Sequence, residues 1–195
     1  YSPTLGIPSV KEKIAVSLNR RFGMNYTAGH IFPASGCAGA VAHALRAVTK
    51  PGDKVLVQAP FFPEYIPYIN DTGAQIEIIP ARFEDFQINF EALEQMLQPG
   101  VAAILINSPN NPSGVAYTGE TLEKLSSLLA AKSKELGYNL FLISDEPYRE
   151  IAFGGREIPY PARFYPHTLT CYSFSKSLSV PGERIGYVAV CPECE

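Results

Sequence analysis

The chain has 195 residues, enough for one substantial core, and its 46% hydrophobic and 18% charged residues describe a globular protein rather than a disordered one. A net charge of −3 without a basic block argues against a nucleic-acid surface. No apolar run approaches the ~20 residues that span a bilayer, and no cleavable leader pattern opens the sequence, so no membrane partner is expected.

Tyr1 to Pro8 is turn-rich, and Pro8 suits the first turn of a helix from about Ser9 to Phe22. Val10, Ile14, Val16, Leu18 and Phe22 give that helix an apolar stripe. His30 to Pro33 then leads into a small-residue turn, Ala34-Ser-Gly-Cys-Ala-Gly-Ala40, which starts a helix reaching Val48. Free N–H groups and the positive end of the helix dipole suit such a turn to an anion. Close packing of the helix start against a strand explains the same residues equally well. Neither the dinucleotide glycine fingerprint nor a P-loop is present.

Pro51-Gly-Asp53 turns the chain into a strand, Lys54 to Ala59, whose end carries Pro60-Phe-Phe-Pro-Glu-Tyr65 and a helix to about Asn70. Aromatic residues are usually core, but one at a strand's carboxyl end can stack on a flat ligand. A short strand, Gln75 to Ile79, and a helix from Asn89 to about Leu97 follow. Val101 to Ile106 is a continuous apolar run, as in a buried parallel strand. It ends in Asn107-Ser-Pro-Asn-Asn-Pro-Ser-Gly114, where prolines exclude regular structure and the asparagines read as turn caps.

Thr118 or Gly119 opens a helix to about Leu136, closed by Gly137, and Asn139 to Ser144 is a further buried strand. It delivers Asp145-Glu-Pro-Tyr148 to the edge reached by the earlier strands. An aspartate there can hydrogen-bond a protonated ring nitrogen, with Tyr148 facing a phenolic oxygen. A helix N-cap by Asp145 is the plainer alternative.

The last β-type runs are Thr168 to Ser173 and Ile185 to Val190. Between them, Lys176 stands among serines and Arg184 opens the second run. A lysine at a strand mouth can be held partly out of water and so become an amine nucleophile toward carbonyl compounds, pyridoxal phosphate among them. Arginine's planar fork suits a phosphate. Taken singly, each is most simply a solvated surface residue. Strands alternating with helices imply parallel βαβ units: an α/β fold of three α/β/α layers around a mostly parallel central sheet. The whole chain reads as a single domain, residues 1–195.

The four cysteines do not make a disulfide framework at this length, which implies a reducing, cytoplasmic compartment. Cys191 and Cys194 form a C-x-x-C, but with no second pair and no nearby histidine they read as a terminal loop, and no metal is expected.

Together these positions resemble the large domain of the fold-type I, class I/II aminotransferases, which use pyridoxal 5′-phosphate. The motifs that carry it are Tyr1 to Pro8, Ser35 to Ala38, Pro60 to Pro63, Asn107 to Gly114, Asp145 to Tyr148, and Ser173 to Lys176 with Arg184. The resemblance implies that Lys176 is the Schiff-base lysine and moves the proton, and that Asp145 keeps the pyridine nitrogen protonated. It implies that Tyr148 and Asn111 hydrogen-bond the 3′-oxygen and that Phe62 stacks on the ring. It assigns the phosphate to the N–H groups of Gly36, Cys37 and Ala38 with Ser173 and Arg184. Tyr1 is similar to the tyrosine that reaches a neighbouring subunit's phosphate, which implies a homodimer.

The departures are Phe62, where Tyr or Trp is usual, and Ala38 and Gly39, where longer polar side chains are common. The family's small domain and its substrate-carboxylate arginine are missing, so the chain is expected to be a fragment of a longer enzyme. Alone it is expected to fold, bind cofactor weakly and transaminate little. An aminotransferase acting on an amino acid and a 2-oxo acid leads. A C–S lyase on the same scaffold and a sensing domain of a transcription regulator are its alternatives.

Overall fold

Helices form where an apolar stripe meets a terminus signal. Pro8 opens α1 (Pro8–Phe22) and Gly23 closes it, with its N–H on the Asn19 carbonyl. Thr118 caps α5 (Gly119–Leu136) by accepting from the Thr121 N–H. Between them lie α2 (Gly36–Val48), α3 (Tyr65–Asn70) and α4 (Phe90–Met96), and a single turn, α6 (Phe174–Ser177), follows later.

The structure, a computed structural model, describes residues 3–195. Its strands are β1 (Ile31–Ser35), β2 (Lys54–Gln58), β3 (Gln75–Ile79), β4 (Val101–Asn107), β5 (Phe141–Asp145), β6 (Thr168–Ser173) and β7 (Ile185–Val190). They form one sheet in the order β1-β7-β6-β5-β4-β2-β3. The pairs β2–β3, β2–β4, β4–β5 and β5–β6 are parallel, as the alternation of strands and helices predicts. β7 runs against both its neighbours, β6 and β1.

β1 is the element that the sequence conceals. Ile31 to Ser35 contains Pro33 and lacks the apolar run of a central strand. It lies at the edge of the sheet, where a proline without an N–H is tolerated.

Side chains alternate across the sheet and fill both its faces. On β4, Ala103 and Leu105 join a core with Ala40, Val41 and Leu45 of α2 and Tyr65 and Ile69 of α3. Ile104 and Ile106 face the other way, toward Leu93 of α4 and Leu122, Leu125 and Leu129 of α5. A third cluster packs Ala15 and Leu18 of α1 on Tyr172, Tyr187 and Ala189 of β6 and β7. The result is three layers, α/β/α, with every central strand buried on both faces.

Candidate active site

β2, β4, β5 and β6 point the same way and end at one edge of the sheet. β1 runs against β7, which runs against β6, so β1 also ends there and hands the chain to α2. The reversal of β7 places its entry, Arg184, at that same edge. Carboxyl ends of parallel strands are where an open α/β sheet accepts a ligand.

A cavity of about 270 Å³ opens at this edge. Nine of the expected residues line it: Cys37, Ala38, Phe62, Asn111, Asp145, Tyr148, Ser173, Lys176 and Arg184. Motifs up to 147 residues apart in sequence, from Cys37 to Arg184, thus converge on one volume (184 − 37 = 147). Tyr1 lies outside the described residues.

Asp145 forms the floor. It is 6% exposed, and its carboxylate accepts from the Tyr65 hydroxyl at 2.5 Å on Oδ2 and from Cys37 Sγ at 2.7 Å on Oδ1. Burial pushes its pKa above the usual carboxylate range, and the Cys37 and Tyr65 hydrogen bonds pull it partly back. The N-cap alternative fails, because both carboxylate oxygens face side chains of other elements rather than a following helix.

The Asn107 to Gly114 loop divides its asparagines by task. Asn107 Nδ2 donates to the Asp145 carbonyl at 2.9 Å, and Asn107 Oδ1 accepts from the Asn111 N–H at 2.6 Å. Asn110 Oδ1 accepts from the Ser113 N–H and hydroxyl, which is the turn-capping role read from the sequence. Asn111 Nδ2 donates to the Tyr148 hydroxyl at 3.4 Å, so the two polar groups assigned to a phenolic oxygen lie together. Burial, then the charge of Asp145, raises the Tyr148 pKa.

Lys176 sits in α6, one turn beyond β6, with Nζ 6.0 Å from the Tyr148 ring centre. Its side chain is exposed rather than held out of water, which corrects the partial burial expected at a strand mouth. Arg184 is also exposed, in a left-handed conformation (φ 52°), its Nη1 donating to the Pro181 carbonyl at 3.1 Å.

Gly36 departs from its expected role. Its N–H donates to the Arg184 carbonyl at 3.0 Å, so it is not available to an anion. Cys37 and Ala38, in the first turn of α2, keep N–H groups that by position have no acceptor within the helix.

Sequence reasoning missed Tyr65, Tyr68, Asn107 and Ser175, all of which line the cavity. Asn107 was findable: it follows the apolar run of β4 as Asp145 follows that of β5, and the two are register partners. Ser175 Oγ is buried with no hydrogen-bond partner among the described residues. An orphaned hydroxyl, two helix N–H groups and a guanidinium on residues lining the same cavity fit a phosphate, and the buried Asp145 carboxylate fits a protonated ring nitrogen. The residues present therefore suit pyridoxal phosphate.

Glu146, beside Asp145, turns to the α1 side of the sheet. It is 1% exposed, accepts from Ser144 Oγ and Arg149 Nη1, each at 2.8 Å, and so anchors the segment that carries Asp145. The Arg149 guanidinium is stacked over Tyr172 at 4.5 Å and Phe22 at 5.0 Å. Cys191 and Cys194 form a tight terminal turn, the Cys194 N–H donating to the Cys191 carbonyl at 2.9 Å.

Known proteins resemble this chain in sequence and in fold. The family model for aminotransferase class I and II matches residues 1–195. A probable aspartate/prephenate aminotransferase of Aquifex aeolicus is 34% identical over 99% of this chain and 48% of its own length. The aspartate/prephenate aminotransferase of Thermus thermophilus is 31% identical over 96% of this chain and 47% of its own length. Among solved structures, an aminotransferase from Eubacterium rectale superposes with a TM-score of 0.98 at 45% identity, over 100% of this chain and 49% of that one. Aspartate aminotransferase of Thermus thermophilus with maleate gives 0.89 at 31% identity, over 99% of this chain and 49% of that one. The chain spans about half the length of the relatives it matches. On sequence and fold together, it belongs to the class I and II aminotransferases.

Proposed function

We propose that this chain is the cofactor-binding large domain of a pyridoxal-phosphate-dependent aminotransferase, which moves an amino group between an amino acid and a 2-oxo acid. The observation that carries this reading is the convergence of Lys176, Asp145 and Arg184 on one cavity of about 270 Å³. When bound, the cofactor supplies an electron sink for the pair released at the substrate's Cα.

The chain's residues divide the work around it. Arg184, the Ser173 and Ser175 hydroxyls and the Cys37 and Ala38 N–H groups hold the phosphate dianion. The Asp145 carboxylate holds a proton on the ring nitrogen. Phe62 covers one face of the ring and excludes water from it. Tyr148 and Asn111 direct hydrogen bonds at the 3′-oxygen. Lys176 Nζ is the amine for covalent capture and, once free, moves the proton at Cα. Gly36 serves indirectly, by seating Arg184.

The same proposal includes a homodimer in the cytoplasm. Four free cysteines suit a reducing compartment, and no helix among the described residues is long and apolar enough to cross a membrane. The unmatched half of the relatives is the proposed counterpart of a small domain that carries the substrate-carboxylate arginine. The test is to incubate the intact protein with amino acids and 2-oxoglutarate. Keto acid and glutamate in equal amounts support transamination, whereas pyruvate with free ammonia replaces it with C–S lyase chemistry.

A further inference from the structure

Each oxygen of the Asp145 carboxylate is engaged by a neutral donor from a different helix. Cys37 Sγ reaches Oδ1 from α2, and the Tyr65 hydroxyl reaches Oδ2 from α3. Tyr65 is 1% exposed, and its ring is held edge-on by Phe62 at 5.8 Å and stacked by Phe61 at 6.4 Å. Its hydroxyl is therefore aimed by packing rather than free to swing. α2 and α3 belong to the same core cluster, so the two donors are fixed relative to each other as well as to β5.

We propose that Cys37 and Tyr65 are positioning residues for Asp145: they fix its carboxylate at the cavity wall and favour its ionised form, ready for a cationic ring N–H. This rests on the cofactor reading above. A carboxylate has about four lone-pair sites, so two donors leave room for a third partner. A hydrogen bond to the charged form favours ionisation and opposes the burial that would otherwise neutralise the group.

The surrounding groups leave this role to these two. Burial first, then the Asp145 charge, raises the Cys37 and Tyr65 pKa values well above the ordinary, so both remain protonated donors through neutral pH. Cys171 of β6 is likewise kept as a thiol by burial and then by Asp145. Glu146 is occupied by Ser144 and Arg149 on the far side of the sheet. Tyr68, Tyr148, Lys176 and Arg184 line the cavity but make no hydrogen bond to the carboxylate oxygens among the described residues.

The test uses the cofactor-free intact protein. The Asp145 carboxyl is titrated by carbon-13 NMR with labelled aspartate, and its signal is assigned by its loss in Asp145→Asn. The expected result is an upward shift of the Asp145 midpoint in Tyr65→Phe and in Cys37→Ala. Cys37→Ser, which keeps a donor, should hold the midpoint at or below that of the parent, because a hydroxyl donates more strongly than a thiol. In a second measurement, affinity for pyridoxal phosphate should fall by about tenfold in Tyr65→Phe and be retained in Cys37→Ser. An unmoved midpoint in both Tyr65→Phe and Cys37→Ala overturns the proposal. If the midpoint shifts while the parent binds no pyridoxal phosphate, the positioning role stands and the cofactor reading fails.

Discussion

Gly36 and Arg184 interlock: a Cβ on Gly36 would lie 2.3 Å from the Arg184 Nη2, and the Gly36 N–H donates to the Arg184 carbonyl at 3.0 Å. The glycine also adopts φ +68°, a conformation that side-chain-bearing residues avoid. The proposed phosphate wall is thus built on the absence of one side chain. Gly36→Ala is expected to cost about 1–2 kcal/mol of stability from backbone strain alone. Its larger effect should be on affinity, because the guanidinium must leave its seat. Cofactor titration checks this, and Arg184→Lys should show the affinity loss without the strain.

Phe62 lines the cavity and, in the proposed site, stacks on the cofactor ring. Phe62→Ala is expected to weaken cofactor binding roughly tenfold, on the scale of an aromatic contact of about 1 kcal/mol plus lost area. Phe62→Trp should bind at least as tightly as the parent. Equilibrium binding followed by visible absorbance distinguishes the three proteins.

Glu146 and Arg149 are 1% and 4% exposed and hydrogen-bonded at 2.8 Å. Removing one partner strands a buried charge. Arg149→Met is expected to lower stability by about 3–5 kcal/mol, and adding Glu146→Leu should recover much of that loss. Denaturant unfolding of the single and double variants measures both effects.

Asp145 should link stability to pH with a sign opposite to that of a surface carboxylate. Its folded pKa is raised, chiefly by burial and against the Cys37 and Tyr65 hydrogen bonds. Its contribution is therefore complete below the unfolded value of 3.8 and is lost as pH rises through the folded value. Asp145→Asn carries no such loss. The melting temperature of Asp145→Asn minus that of the parent, both without cofactor, is expected to grow more positive as pH rises from about 3.8. A constant difference contradicts the burial argument.

These predictions separate what composition and pattern reveal from what only packing reveals. β4 and β5 are legible because burial on both faces demands unbroken apolar runs, and Asp145 is legible because it ends such a run. β1 is not, since an edge strand containing Pro33 has no such demand on it. The antiparallel course of β7 is equally hidden, although it explains why an arginine precedes a strand yet reaches the edge where other strands end. Tyr65 escaped notice because an aromatic residue at the start of a helix is usually core, and this one is both core and hydrogen-bond donor. The task of Gly36 is hidden too, since only packing shows that its N–H is claimed by the Arg184 carbonyl.

The central claim is that Lys176 captures the cofactor's aldehyde in the cavity floored by Asp145. It is tested most directly by adding pyridoxal phosphate to the intact protein, reducing with borohydride and locating the label by peptide mass spectrometry. The label is expected on Lys176, and Lys176→Ala should lose both the visible band and the reducible adduct. An undiminished adduct in Lys176→Ala, or a label on another lysine of the parent, contradicts the account.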